Sequence, residues 1–396
     1  MTDHLPADLE DRVRGAYQSA AQTVQPTTLR RTSPMPAAGS VPRSRRMNAF
    51  VPIAAAVAVL VVIGASVALP RLLTGAAQNP AAPGIGASAP GHYPPFRVVV
   101  TVSDGNSESK LLVESAATGH VVSTLAPPWQ GGMWIDVSAA AAATRFIVAA
   151  EPVSSPYAPT RLYALTLSAH GTVTGLAPLS VPTLPGELTS LAASADGSTV
   201  AYTTFGPGAA YEAGVITGGR TRHWSVSAGA IAGIWHVSVS GDGGMLAFTT
   251  QSVGRGGVED AAWVLPTGSA PGSITARARK IYDHTYLGGA GHASTVLQSA
   301  LISQDGSTLY LCTSASSASG RTVTTVTADS TADGASLGTI SAWDNGYPEI
   351  LSPVGGMLLS WDQNSSTAYL INPATRTRTT LRLRGIPRAQ YVTLAW

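Results

Sequence analysis

The segments SADGSTVAYTT (Ser194–Thr204), SGDGGMLAFTT (Ser240–Thr250) and SQDGSTLYLCT (Ser303–Thr313) are three copies of one unit. In each copy a Ser-x-Asp-Gly sequence is followed by a short run of apolar and β-branched residues. Asp and Gly turn a chain sharply at low strain, so the unit predicts a turn between two strands. We therefore expect the aspartate of each copy to shape a turn rather than to bind calcium.

Two further segments repeat the unit less faithfully. SPVGGMLLSWD (Ser352–Asp362) lacks the Asp-Gly, and SAAAAATRFIVAA (Ser138–Ala150) is degenerate. The copies recur about every 50 residues, which is the length of one propeller blade. An apolar strand precedes each copy and a second pair of short strands follows it, so each repeat is expected to supply four strands.

The repeats predict an all-β fold, a β-propeller of six four-stranded blades over residues 96–396. The first unit, Phe96–Leu125, lacks its innermost strand, and the chain ends in a strand, Tyr391–Trp396, that has no blade of its own. Placing that strand in the first blade closes the ring and removes two open sheet edges. The alternative is seven blades, with a divergent unit between Ser240 and Ser303.

The unit resembles the WD40-like repeat of the TolB-type β-propellers, whose motif reads roughly Ser-Pro-Asp-Gly before a short apolar strand. The resemblance extends over about Phe96–Trp396, with Ala195, Gly241 and Gln304 where proline is usual. It implies a propeller and says almost nothing about activity, because propellers carry many unrelated functions.

An apolar segment lies well before the repeats. Residues 49–69 (AFVPIAAAVAVLVVIGASVAL) contain no ionisable side chain and are long enough to span a bilayer as a helix. Arginines are concentrated before this segment, so the positive-inside rule predicts a cytosolic N-terminus. We expect residues 47–72 to form the transmembrane helix of a single-pass cell-membrane protein whose C-terminal domain is extracellular. The alternative is cleavage of this segment, since Arg45-Arg46 resembles a twin-arginine export signal.

The predicted cytosolic tail, residues 1–46, contains one helical pattern. Residues 8–24 place apolar side chains on one face of a short amphipathic helix, which could bind a cytosolic partner. The rest of the tail is rich in Pro, Thr, Ser and Arg and is expected to be disordered. Residues 73–95 are rich in Pro, Gly and Ala and predict an extended linker.

Composition excludes several classes of function. The net charge is +2 and no basic stripe occurs after the membrane segment, so no nucleic-acid partner is expected. Cys312 is the only cysteine, which excludes an internal disulfide and a cysteine-based zinc site and favours a buried position. Arginine almost replaces lysine, a bias typical of GC-rich coding, as in actinobacteria.

The connections that vary in length between repeats are expected on one face of the ring, where they form the natural binding surface. The candidate ligand contacts on them are Tyr157, Tyr211, Glu212, Asp283, His284, His292, Trp343 and Asp344. Three of these share the Gly-rich segment 282–294, which we expect to be a flexible loop that could supply metal or acid–base groups. Its spacing matches no common metal motif, so solvated side chains are the simpler interpretation and neither a metal nor a cofactor is predicted.

The tryptophans divide into two groups. We interpret Trp134 and Trp235 as equivalent strand positions in the core. Trp129 and Trp343 lie in connections and are expected at the surface.

No convergent set of catalytic residues stands out. The leading hypothesis is a non-enzymatic module that binds a protein, peptide or glycan outside the cell. A propeller-type hydrolase, lyase or quinone enzyme is one alternative, and it requires several His, Asp or Glu side chains close together at the channel mouth. A transmembrane sensor that signals through residues 8–24 is another.

Overall fold

The computed structural model describes residues 95–396 apart from 103–108, 141–143, 154–157, 207–209, 227–232, 255–256, 287–293, 318–320, 345–347, 355–356, 363–366, 383–391 and 396. The predicted tail helix and transmembrane helix lie outside these residues. In the described part, no helix has the length and apolar character that a membrane crossing needs.

The described strands form six sheets, and each sheet is one blade. Blade 1 contains β1 (Phe96–Val102), β2 (Ser109–Ser115), β3 (Val121–Leu125) and the C-terminal strand β25 (Val392–Ala395). Blade 2 contains β4 (Gly132–Ala140), β5 (Arg145–Pro152), β6 (Arg161–Leu167) and β7 (Val173–Pro178). Blade 3 contains β8 (Glu187–Ala193), β9 (Thr199–Gly206), β10 (Ala210–Thr217) and β11 (Arg220–Val226).

The other three blades follow in chain order. Blade 4 contains β12 (Gly233–Val239), β13 (Met245–Gly254), β14 (Gly257–Pro266) and β16 (Arg279–Tyr286). Blade 5 contains β17 (Ser294–Ile302), β18 (Thr308–Ser316), β19 (Thr322–Ser330) and β20 (Ser336–Asp344). Blade 6 contains β21 (Pro348–Val354), β22 (Met357–Asp362), β23 (Thr367–Asn372) and β24 (Thr377–Arg382).

The four strands of every blade pair antiparallel, and we name them a to d in their order across the sheet. The a strands contact each other from blade to blade and therefore surround the axis of the ring: β25, β4, β8, β12, β17 and β21. The prediction of six four-stranded blades is confirmed.

The alternative of a seventh blade is wrong. The extra length between β14 and β16 forms β15 (Gly272–Ser273), which pairs in parallel with β11 as a fifth strand of blade 3. A short helix, α1 (Ile274–Arg277), follows and buries Ile274 completely. The indole N–H of Trp224 donates to the carbonyl of Ala270 at 3.0 Å. This connection of blade 4 therefore binds the outer edge of blade 3.

The hydrophobic core lies between the blades. Buried residues form six clusters, and each cluster joins two neighbouring blades. We call these interfaces seams and name them by their blades. Along β13, Leu246 and Phe248 pack in seam 3/4 and Ala247 packs in seam 4/5, as the alternation of side chains in a strand requires. Cys312 is buried in seam 5/6, as predicted.

The Asp-Gly turns join strands a and b. In blade 3 the Ser194 hydroxyl donates to Asp196 Oδ1 at 2.7 Å and accepts the N–H of Thr199 at 3.0 Å. Hydrogen bonds from Ser198 and Ser194 lower the pKa of Asp196 to about 2. The corresponding turns of blades 4 and 5 repeat these bonds. The prediction that these aspartates shape turns is confirmed.

Neighbouring turns are also bonded to each other, which explains the absence of proline at two positions of the repeat. The N–H of Ala195 donates to the carbonyl of Gly241 at 3.1 Å, and the N–H of Gly241 donates to the carbonyl of Gln304 at 2.8 Å. Proline has no N–H to donate. At Ala195 and Gly241, the residues that replace the usual proline therefore link one blade to the next.

Strand direction sorts the connections into two faces. The a–b and c–d turns lie at one end of every blade, which we call the Asp-Gly face, and the b–c and d–a connections lie at the other end, the loop face. In blade 1 the chain has no a–b turn. Its place is taken by the start of β1 at Phe96 and the end of β25 at Ala395, so the propeller begins and ends at the Asp-Gly face.

The C-terminal strand closes the ring. β25 pairs antiparallel with β1, with Ala395 opposite Val98 and Val392 opposite Thr101. Leu394 packs in seam 6/1 and Ala395 in seam 1/2. The predicted closure of blade 1 by the C-terminus is therefore confirmed.

Deletion of residues 391–396 should open the ring. It removes strand a of blade 1, and burial of a large apolar side chain such as Leu394 alone contributes ~1.5–3 kcal/mol. We expect a loss of several kcal/mol, measured by thermal unfolding, together with rapid proteolysis. Val121→Ala, at an exposed position of β3, is the control. Equal melting temperatures for the full and shortened chains would contradict the closure.

Ala195→Pro tests the bond between turns. Loss of the N–H donor and of its hydrogen bond to Gly241 should cost about 1–2 kcal/mol. Ala195→Ser keeps the N–H and should unfold at nearly the wild-type temperature. If the two variants were equally stable, the turn-to-turn bond would have no energetic role.

Candidate binding face

One position at the loop face varies in chemistry from blade to blade. It is the residue that directly follows each copy of the repeated unit, at the loop-face end of strand b: Glu151, Phe205, Gln251 and Ser314 in blades 2 to 5. Three of these pair with a residue of strand c in the same blade: Phe205 with Tyr211, Gln251 with Asp260, and Ser314 with Thr324.

Each pair interacts in its own way. The rings of Phe205 and Tyr211 have centroids 4.8 Å apart. The Gln251 amide donates to Asp260 Oδ1 at 3.1 Å. The hydroxyls of Ser314 and Thr324 are 3.2 Å apart. The repeat therefore keeps the Asp-Gly turn and changes the chemistry of the loop face from seam to seam.

The aromatic patch, which we define as Phe205, Tyr211 and Trp235, lies at the loop-face end of seam 3/4. The centroid of Tyr211 is 6.2 Å from that of Trp235, and Trp235 is 42% exposed. The indole lies against Gly233, where a Cβ would be 2.5 Å from the ring. Glycine at this position therefore lets the tryptophan fold over its own strand.

A displaced β-bulge puts Trp235 there. The bulge of strand a falls between Trp134 and Asp136 in blade 2, but one residue later in blade 4, between Trp235 and Val237. The extra residue, His236, has a left-handed φ of 44°. A residue other than glycine in this conformation stores strain, which is often found at functional sites.

The expectation that Trp134 and Trp235 are equivalent is wrong. Trp134 pairs with Ala150, and its counterpart by register is Ile234, which pairs with Thr250. Trp134 and Ile234 are both completely buried in their seams. The core position is thus filled by Ile234, and Trp235 is displaced to the surface.

Carboxylates flank the aromatic patch on the side of blade 2. Glu187 starts β8, is exposed, and lies opposite Phe205 in the strand register. Burial, with a smaller contribution from the charge of Glu187, raises the pKa of Glu151 to about 7. Glu151, Glu187 and the aromatic patch therefore form one continuous row from blade 2 to blade 4.

Asp260 is a buried carboxylate in the next seam. Its Oδ2 accepts the N–H of Leu297 in blade 5 at 3.0 Å, and burial raises its pKa. In seam 1/2 the hydroxyl of Ser109 accepts the N–H of Trp134, at the same point before the bulge. In both cases a side chain of one blade accepts the backbone N–H of a residue in strand a of the next blade.

The predicted site residues of blade 3 do not act together. Tyr211 faces seam 3/4 and belongs to the aromatic patch. Glu212 is half-buried on the other side of β10. Burial of Tyr202, with a smaller contribution from the charge of Glu212, raises the pKa of Tyr202 to about 12. Tyr157 and His292 lie outside the described residues.

The expectation of a flexible loop at Asp283 and His284 is wrong, because both residues belong to β16. Pairing with β14 extends that strand to Tyr286. Asp283 is exposed and its carboxylate is 3.4 Å from the ammonium of Lys280. His284 is half-buried and stacks with Tyr286 at 6.4 Å.

Trp343 was expected at the surface, and this is also wrong. It lies near the end of β20, is 7% exposed and packs against Tyr369, with Arg378 4.9 Å above its ring. Asp344 is exposed and forms an ion pair with Arg321 at 2.5 Å. Trp129 does lie in a connection, half-buried, with Arg161 5.3 Å from its ring.

The six candidates that the structure describes therefore lie in three different blades. Among the residues that the structure describes, no group of three or more His, Cys, Asp or Glu side chains could hold a metal ion. Sequence reasoning missed Trp235, Glu151 and Asp260. The sequence did contain a signal for two of them. Glu151 directly follows one copy of the repeated unit, and Asp260 pairs with Gln251, which directly follows another.

No protein-family model and no curated protein matches the chain. Among solved structures it is similar to TolB from Acinetobacter baumannii, at 15% identity and a TM-score of 0.47 over 78% of this chain and 67% of that one. A structure of a nidogen/laminin complex matches at 12% identity and a TM-score of 0.45, over 76% of this chain and 98% of that one. A putative 6-phosphogluconolactonase from Bacteroides uniformis matches at 14% identity and a TM-score of 0.43, over 76% of this chain and 99% of that one. Nothing about activity follows from these likenesses.

Glu151→Gln should change the pH dependence of stability. The carboxyl has a pKa of about 7 in the folded protein and about 4.5 when unfolded, so wild-type stability falls as pH rises from 4.5 through 7. The variant has no carboxyl to ionise, so its free energy of unfolding does not fall in this way. Relative to the wild type it should increase by about 1 kcal/mol between pH 5 and pH 8, a value that allows for solvent screening. Thermal unfolding at both pH values measures this, and a constant difference would contradict the raised pKa.

Proposed function

We propose that this protein is a membrane-anchored, extracytoplasmic β-propeller that binds a protein, peptide or glycan through its loop face. The anchor and the location rest on the apolar segment within residues 47–72 and on the arginines before it. The binding role rests on the loop face, where side-chain chemistry differs between seams while the opposite face repeats the same turn.

The exposed tryptophan is the observation that carries the proposal. In the described part of the chain, the large hydrophobic side chains with substantial exposure are Val121, Val122, Val153, Trp235 and Val253. Trp235 is the aromatic member of this set, and the rings of Tyr211 and Phe205 extend its surface. An exposed apolar surface formed by several neighbouring rings is typical of an interaction site.

The path of the chain is consistent with presentation of this face. The propeller begins at Phe96 on the Asp-Gly face. An anchor that precedes Phe96 is therefore attached at the end of the ring opposite to the aromatic patch.

A probe array tests the binding role. The full chain would be applied to immobilised random peptides and cell-wall glycan fragments, together with Trp235→Ala/Tyr211→Ala and the control Val121→Ala/Val122→Ala on the outer edge of blade 1. We expect probes that bind the wild type and the control at least tenfold more tightly than the patch variant. Absence of any bound probe, or binding that the patch variant retains in full, would overturn the proposal.

A further inference from the structure

We propose that the aromatic patch and its flanking carboxylates bind a cationic side chain, a lysine or arginine of a basic polypeptide. The proposal rests on the proposed function and specifies its ligand. It identifies the ring of Trp235 as the centre of the site and Glu187 and Glu151 as the opposing charges.

Other tryptophans of the propeller already carry a cation from their own chain. Arg161 lies over Trp129 at 5.3 Å, Lys280 over Trp263 at 5.1 Å, and Arg378 over Trp343 at 4.9 Å. Such pairs are favourable because the face of an aromatic ring is electrostatically negative. The use of cation–π pairs is thus a recurrent feature of this protein.

Trp235 departs from that pattern. The remaining tryptophans with described side chains, Trp134 and Trp224, are completely buried in seams. Trp235 is exposed, and no cation of the described residues lies over its ring. Its ring neighbour among the described residues is Tyr211, so two aromatic rings lie side by side at this point of the loop face.

The charge around the patch is complementary to a cation. Glu187 lies opposite Phe205 in the register, and Glu151 is close enough to Glu187 for the two charges to interact. Neither carboxylate takes part in an ion pair with a described residue. Oε2 of Glu151 is buried without a hydrogen-bond partner among those residues. A bound ammonium or guanidinium group would supply the missing positive charge.

A lysine or arginine side chain fits this row better than a neutral sugar does. A sugar ring could stack on Trp235, but it would leave the repulsion between Glu151 and Glu187 uncompensated. A cation relieves that repulsion and interacts with the rings at the same time. The row extends across two seams, which suits an extended polypeptide more than a single small amine.

The test measures binding of the full chain to a fluorescent hexaarginine peptide and to the neutral hexacitrulline peptide of nearly the same shape. We expect hexaarginine to bind at least tenfold more tightly and to weaken as salt is raised from 50 to 300 mM. Trp235→Ala and Glu187→Gln should each reduce its affinity at least fivefold, and Trp235→Phe should restore part of the loss.

Two controls separate this site from general attraction between charges. Asp333→Asn removes an exposed carboxylate at a turn of the Asp-Gly face and should leave the affinity unchanged. Melting temperatures of all variants report whether they fold. Equal affinity for hexacitrulline, or an unchanged affinity of Trp235→Ala, would overturn the cationic ligand. If glycans or neutral peptides bind through Trp235 instead, the proposed function stands and this inference fails.

Discussion

The pairing of β25 with β1 is the constraint on which the other five blades depend. Every seam is a core shared by two sheets, so each blade is stable only while both of its neighbours are present. In blade 1, Arg97 forms an ion pair with Glu114 at 2.8 Å, and both side chains are almost completely buried. Arg97 lies on the same side of β1 as Val99, which packs in seam 6/1. Opening of the ring would therefore expose the apolar surface of seam 6/1 and, at the same time, expose the Arg97–Glu114 ion pair to water.

The closed ring allows its two faces to take different roles. At the Asp-Gly face, the serine and aspartate side chains satisfy the turn itself, and N–H groups such as that of Gly241 link it to the next blade. Substitution there disturbs several bonds at once. At the loop face, the b–c pair that follows the repeated unit is aromatic in blade 3, an amide and a carboxylate in blade 4, and two hydroxyls in blade 5.

The fold could be predicted because its signals are local. The Asp-Gly turn repeats in sequence, its spacing counts the blades, and a lone terminal strand implies the closure. The position of Trp235 could not be predicted, because it depends on where strand a bulges against strand b, and pairing across the sheet decides this. Likewise, β16 extends through His284 because β14 pairs with it, although Gly residues nearby indicate a loop. Site residues were therefore placed by tertiary pairing rather than by local sequence.

The displaced bulge of blade 4 has an energetic consequence. His236 in a left-handed conformation costs about 1–3 kcal/mol, and an exposed indole forgoes the burial that Trp134 has. A bulge at the position found in blade 2 would make Trp235 the bulged residue, which in blade 2 is Ile135, a partly buried side chain of seam 2/3. The seams tolerate this cost because Ile234 fills the core position. Blade 4 thus keeps a packed seam and still presents an aromatic ring, which is the arrangement that a binding surface on a rigid ring requires.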